Sequence, residues 1–180
     1  HKKVAEKCKE ELEFLNAKIE PIPTPFPRIK YDEAVEILQK RGVSIEWGED
    51  FTDYHEKIIG EEMLKRGHKL YFIVQYPWKS KPFYIMREGE YSASFDLDYS
   101  GLEISSGGQR EHRYSQLVEN IKEKGLNPES FSFYLEAFKY GMPPHGGFGL
   151  GLERLLIKML NKGNVREVIL FPRDIQRLVP

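Results

Sequence analysis

The segment YSASFDLDY, residues 91–99, restricts the fold of this chain more than any other. Tyr91, Ala93, Phe95, Leu97 and Tyr99 alternate with Ser92, Ser94, Asp96 and Asp98. A period of two over nine residues is a strand with one apolar and one polar face. Ser100-Gly101 then reads as a two-residue turn, and LEISSGGQR as the returning strand of a hairpin. In that register Tyr99 pairs with Leu102, and Asp98 stands opposite Glu103. Side-chain parity places Asp96, Asp98, Glu103 and Ser105 on one face. Carboxylates directly opposite each other repel. Either water screens them on a solvated face, or a hard divalent cation with oxygen ligands neutralises them, for which magnesium with phosphate oxygens is suited.

The remaining segments fill in around this hairpin. KLYFIVQYP (69–77) is apolar and bounded by Pro77, as expected of a buried strand. Residues 1–17, 31–42, 55–66, 113–124, 128–140 and 150–161 read as helices, with Gly42, Gly67 and Gly125 as stops and Asn127-Pro128 as a start. Between the first two, PIPTPFPRI holds four prolines and takes an extended path. REVILF (166–171) reads as a short final strand. The mixture predicts an α+β fold, an antiparallel sheet flanked by helices.

Length and charge bound the function. A chain of 180 residues, 40% hydrophobic and 13% aromatic, suits one domain with a real core. Lys+Arg 27 against Asp+Glu 28 excludes a generic polybasic nucleic-acid binder and permits a local basic patch. Cys8 is the single cysteine, so no internal disulfide forms, and Cys/His zinc spacing is absent. A reducing, cytoplasmic setting is expected, with no membrane span or signal peptide in the pattern. The first residue is His1, so the chain is expected to begin inside a longer gene product.

Two further motifs bear on chemistry. Arg110 follows Gly107-Gly108-Gln109, where backbone can approach a ligand. Its guanidinium either grips a carboxylate through two parallel hydrogen bonds or pairs with Glu111 or another nearby acid. His112, among charged residues, reads as a surface side chain. The run GGFGLGLER (146–154) contains Gly146, Gly147, Gly149 and Gly151, which permit close backbone approach and positive φ. It meets neither the dinucleotide GxGxxG pattern nor the P-loop. In the helix that follows, Leu152, Leu155, Leu156, Met159 and Leu160 form a stripe, with Arg154 opposite and Lys158 one turn on. That polar face is either solvated or turned to a ligand.

Together these segments resemble the class II aminoacyl-tRNA synthetases. GLGLER (149–154) is similar to the third signature of the class. SFDLDYSGLEISSGGQREHR, FYLEAFKYGMPPHGGFGLGLERLL and VREVILFPRDIQRLVP resemble the aspartyl branch of subclass IIb in its archaeal and eukaryotic form. The closing FPRD-x-x-RL-x-P favours aspartyl over asparaginyl members. The likeness is sharp from about Tyr71 to Pro180. It implies that residues 1–180 are the C-terminal portion of a catalytic domain: 1–70 a helical and extended lead-in, 71–180 the sheet and helices with the third signature. The first, dimer-forming signature, the second signature and the anticodon-binding barrel are not in this sequence.

The resemblance also implies roles. Asp96, Glu103 and Ser106 match residues that bind magnesium with ATP. Arg110 matches the arginine that binds the side-chain carboxylate of aspartate, beside Ser106. Arg154 matches the catalytic arginine that stacks on adenine and meets the terminal phosphate. Gly147, Gly149 and Gly151 line the nucleotide. The implied partners are ATP, L-aspartate and tRNA(Asp), with tRNA(Asn) also open because Glu111 stands where many aspartyl enzymes have an aliphatic residue. A homodimer is implied as well. The alternatives are an asparaginyl enzyme or adenylate-forming asparagine synthetase-like paralogue, and a non-catalytic synthetase-like binding module. In a regular strand Glu103 and Ser106 have opposite parity, so an irregularity is expected between them, at Ser105-Ser106.

Overall fold

The computed structural model describes residues 1–179; Pro180, the last residue of the closing motif, lies outside them. Its frame is a five-stranded sheet in the order β1 (Arg28–Lys30), β2 (Leu70–Val74), β5 (Ser94–Tyr99), β6 (Glu103–Gln109), β7 (Gly146–Leu150). The two-stranded ladder of β3 (Arg87–Glu88) and β4 (Tyr91–Ser92) stands beside it. β2, β5, β6 and β7 are antiparallel neighbours, as the alternation predicts. β1 is different: it emerges from the proline-rich segment and runs parallel to β2. A parallel neighbour needs a crossover, and here α3 (Tyr31–Lys40) and α4 (Asp53–Lys65) supply it.

The apolar stripes of α3 and α4 close over one face of the sheet. Tyr31, Ala34, Leu38, Ile59, Met63, Tyr71 and Ile73 are all but inaccessible there. Each large side chain buried in this way contributes about 1.5–3 kcal/mol. A second cluster joins Leu117 and Ile121 of α5 (Tyr114–Glu123) to Leu135 and Phe138 of α6 (Ser132–Lys139). α7 (Leu152–Met159) sets Leu155 against Leu70, Tyr99 and Ile104.

Three expectations are corrected. Residues 1–17 form two short helices, α1 (Lys2–Lys7) and α2 (Lys9–Phe14), because the backbone of Cys8 leaves helical values. Of this region only Leu12 in α2 is buried, and helices this short need tertiary packing to persist. The alternating run 91–99 is split at Ala93, whose N–H donates to Met86 and whose carbonyl accepts from Gln109, so the chain passes from one ladder to the other. Residues 166–171 are not a strand. Asn164 and Glu167 cap one another's backbone and tighten Val165–Glu167 into a 3₁₀ turn, and Leu170 and Phe171 are exposed.

Candidate active site

The β5–β6 turn sets the site's register. Ser100 (φ 47°) and Gly101 (φ 74°) both adopt left-handed values, and the Tyr99 N–H donates to the Leu102 carbonyl at 2.9 Å. This is the two-residue hairpin the sequence predicts. α4 lies directly on its tip: a Cβ on Gly60 would stand 2.3 Å from the Gly101 backbone, and one on Gly101 2.9 Å from the Glu56 carbonyl. Only two glycines permit that approach.

Beyond the turn, Asp98 pairs with Glu103, but Leu97 pairs with Ser105, so Ile104 is an extra residue on β6. The irregularity therefore falls between Glu103 and Ser106, as parity demands, but at Ile104 rather than at Ser105-Ser106. Its effect is to exchange the two serines. Ser106 pairs with Asp96 and joins the acidic face, while Ser105 turns to the other face and donates its hydroxyl to the Gly149 carbonyl at 2.8 Å. The placement of Ser105 with the acids is thereby corrected.

The acidic face is shielded from solvent at Asp96 and Asp98, while Glu103 is half-buried and Ser106 exposed. Asp98 is 1% exposed and Asp96 6%, whereas Phe95 and Leu97 on the apolar side are only half-buried. The Tyr71 hydroxyl donates to Asp98 at 3.0 Å. Burial, with the charge of Glu56 next, pushes the Asp98 carboxyl well above the usual range. Burial likewise raises Asp96, against the opposing pull of Lys81. Glu103 is raised by burial and then by the charge of Asp96. Among the described residues no three His, Cys, Asp or Glu side chains cluster closely enough to hold a metal ion by themselves.

A cavity of about 410 Å³ opens beside these acids, lined by Asp50, Lys81, Tyr84, Asp96, Ser106, Arg110 and Gly149 among others. Arg110 leaves the end of β6 with its guanidinium 4.8 Å from the Tyr84 ring centre. It forms no ion pair with a carboxylate among the described residues. Glu111 instead turns inward, fully buried, and is held low by two-pronged hydrogen bonding to Arg113 despite its burial. Arg110 is thus free for a ligand. The glycines before it serve packing: a Cβ on Gly107 would meet Gly147, and one on Gly108 would meet Ala93. His112 is half-buried, and its Nδ1 has no hydrogen-bond partner among the described residues.

GGFGLGLER divides between strand and helix. Gly146–Leu150 is the edge strand β7, with every residue exposed. None of Gly146, Gly147, Gly149 and Gly151 has positive φ, so of the two freedoms glycine permits here only close approach is available to be used. Gly149 has open space where a side chain would stand, and Gly147 meets only the Arg110 guanidinium. Arg154 is exposed on α7 and donates from Nη1 to the Glu103 carbonyl at 2.8 Å. Asp96, Ser106, Arg110 and Gly149 therefore share one cavity; Glu103, Gly147, Gly151 and Arg154 are not among its lining residues, and Gly147 lines a separate cavity with Phe95 and His145.

Sequence reasoning passed over Lys81, whose ammonium lies 3.3 Å from Asp50, 3.4 Å from Asp96 and 3.7 Å from the Tyr76 ring centre. It stands in an irregular loop, and its partners are 15 and 31 residues away, so no spacing signals it.

Residues 1–175 match the family described as tRNA synthetases class II (D, K and N). The chain is 60% identical to the aspartate–tRNA(Asp) ligase of Pyrococcus furiosus, over 98% of this chain and 41% of that protein. It is 56% identical to the aspartate–tRNA(Asp/Asn) ligase of Archaeoglobus fulgidus, with the same coverage of 98% and 41%. Among solved structures it is similar to asparaginyl-tRNA synthetase from Pyrococcus horikoshii, at a TM-score of 0.87 and 36% identity, covering 99% of this chain and 44% of that one. Aspartyl-tRNA synthetase from Entamoeba histolytica gives 0.82 and 40%, covering 87% and 33%. The chain spans about two fifths of the length of these curated relatives.

Proposed function

The chain belongs to the class II tRNA synthetases (D, K and N), and from that premise we propose that the protein carrying it is an aspartate–tRNA ligase. The curated relatives named aspartate–tRNA ligase support this reading, as does a guanidinium without a carboxylate partner in the cavity that also holds Asp96 and Lys81. The observation that carries it is the extra residue at Ile104, which gathers Asp96, Glu103 and Ser106 on the face beside Arg110.

In this reading Arg110 takes the side-chain carboxylate of L-aspartate and the Tyr84 ring steadies the guanidinium. The substrate's α-carboxylate attacks the α-phosphorus of ATP, pyrophosphate leaves, and aspartyl-adenylate results. The terminal ribose hydroxyl of tRNA then takes the aspartyl group and AMP departs. Gly147, Gly149 and Gly151 line the nucleotide, and Arg154 stacks on the adenine and meets the terminal phosphate. The oxygen-only donors Asp96, Glu103 and Ser106 fit magnesium completed by ATP oxygens, where it would neutralise phosphate charge. Two crowded acids, each made harder to ionise by burial, suit a cation better than solvent. This chain contributes positioning and charge stabilisation rather than a general base.

The second signature, a homodimer and a cytoplasmic setting belong to the same proposal and concern the whole protein. For the chain itself, no helix among the described residues is long and apolar enough to cross a membrane.

ATP–pyrophosphate exchange by the full-length protein tests the proposal. Exchange driven by aspartate, and lowered about 100-fold or more by Arg110→Leu, is expected. Exchange driven by asparagine alone would replace it with the asparaginyl reading, and no exchange with either would favour a non-catalytic module. Relaxed tRNA choice is a second reading, favoured by the relative whose name includes both acceptors. Charging of a tRNA(Asn) transcript with aspartate decides it.

A further inference from the structure

Glu56 lies on α4, 47 residues before Glu103, yet it touches the backbone that carries the site. Its Oε2 accepts the Glu103 N–H at 2.9 Å. The carbonyl of the same residue accepts from Arg154 at 2.8 Å, and the carbonyl of the extra residue Ile104 accepts from the Gly151 N–H, also at 2.8 Å. The peptide groups where β6 is interrupted are thus taken up by α4 on one side and by the β7–α7 junction on the other. A bulge persists only where such groups find partners away from the ladder. α4 is well placed to supply one. Thr52 caps its start, and the Gly60–Gly101 contact fixes it against the hairpin tip.

We propose that Glu56 is a positioning residue: by accepting the Glu103 N–H it holds the bulged end of β6 so that Glu103 shares a face with Asp96 and Ser106, and through the Glu103 carbonyl it aims Arg154. The consequence for nucleotide and cation rests on the ligase reading above; the clamp on the backbone does not. Glu56 need not touch substrate. It acts as an outer partner that orients an inner donor, a role whose loss typically costs about 10–100-fold in metal affinity.

The test uses the full-length protein with Glu56→Gln, which keeps a carbonyl acceptor, and with Glu56→Ala and Glu56→Asp, which remove or shorten it. Amide hydrogen exchange at Glu103 is read first. It should speed up at least about tenfold in Glu56→Ala and Glu56→Asp, and stay near wild type in Glu56→Gln. Manganese binding in the presence of ATP, followed by electron paramagnetic resonance, should weaken about tenfold or more in the same two variants. The KM for aspartate in pyrophosphate exchange should hold, because Arg110 is anchored elsewhere.

Unchanged exchange at Glu103 in Glu56→Ala overturns the clamp, as does a Glu56→Gln protein that behaves like Glu56→Ala. Equal losses for manganese and aspartate point to general unfolding and also overturn it. Should Glu56→Ala not fold, Glu56→Asp carries the comparison. If the wild type binds no manganese with ATP and activates no amino acid, the ligase reading fails, while the Glu103 amide still decides the clamp.

Discussion

The two halves of the candidate site are held in opposite ways. On the hairpin side, α4 packs on β5, Asp96 and Asp98 are buried, Tyr71 hydrogen-bonds Asp98, and two glycines lock α4 to the turn. On the β7–α7 side, every residue of the strand is exposed, no residue of the helix is buried, and contact with the rest runs through β6 and a few side chains such as Leu155, Arg154 and Lys158. One wall is thus part of the core and the other is laid against it. Substitutions on the first side should therefore register as stability, and those on the second as ligand binding alone.

The strongest challenge to that contrast is Gly60→Val, which forces a side chain into the Gly101 backbone. A loss of at least about 3 kcal/mol in urea unfolding, or failure to fold, is expected. A cost below 1 kcal/mol would mean that α4 does not hold the hairpin. Tyr71→Phe should cost about 1–3 kcal/mol, because it leaves the buried Asp98 without its donor.

Asp98→Asn should act the other way, on the order of 1 kcal/mol more stable than wild type at pH 8. The sign follows from linkage: Asp98 and Glu56 are raised on folding, so the native state keeps protons that the unfolded chain releases. Their contribution is complete below the ordinary carboxylate range and is lost as pH rises through the raised values. Glu56, Asp96, Glu103, Tyr71 and Lys158 all act on this group, and Glu111 and Asp174, held low by their own partners, titrate in the opposite sense. Unfolding of variant and wild type between pH 4 and pH 8 separates the two, and a constant difference across that range would refute the assignment to Asp98. The smallest effect should be Gly149→Ala, within about 0.5 kcal/mol in unfolding, since open space receives the methyl. A larger KM for ATP with unchanged stability would sharpen the contrast most.

The sequence disclosed the hairpin because its information is local: alternation, a Ser-Gly turn and parity suffice for Tyr99 opposite Leu102 and Asp98 opposite Glu103. It disclosed that an irregularity must separate Glu103 from Ser106, but not its position. That depends on Glu56, Arg154 and Gly151, which supply hydrogen bonds from remote segments. β1 was hidden for a similar reason. Prolines predict an extended path but not a partner, and the parallel neighbour is set by the crossover through α3 and α4. REVILF misled because apolar β-branched residues satisfy a strand pattern, while Asn164 and Glu167, just outside and inside it, favour a turn. Lys81 and Asp50 reach the site from loops without period. Burial of Asp96 and Asp98, finally, contradicts the usual direction of alternation, and it depends on α4, Tyr71 and Lys81, which reach the strand from remote segments.

The extra residue at Ile104 also changes how this chain tolerates insertion and deletion. The position is packed as well as counted, since Ile104 lies buried with Leu70, Tyr99 and Leu155. Deleting it would leave Glu103 opposite Asp98 and Ser106 opposite Asp96 in an unbroken strand. Losing the bulge while keeping the residue would instead set Ser105 opposite Asp96 and turn Ser106 to the other face. The composition would then be intact and the arrangement lost, so in this hairpin the path of the chain between two fixed points carries information that residue identity alone does not.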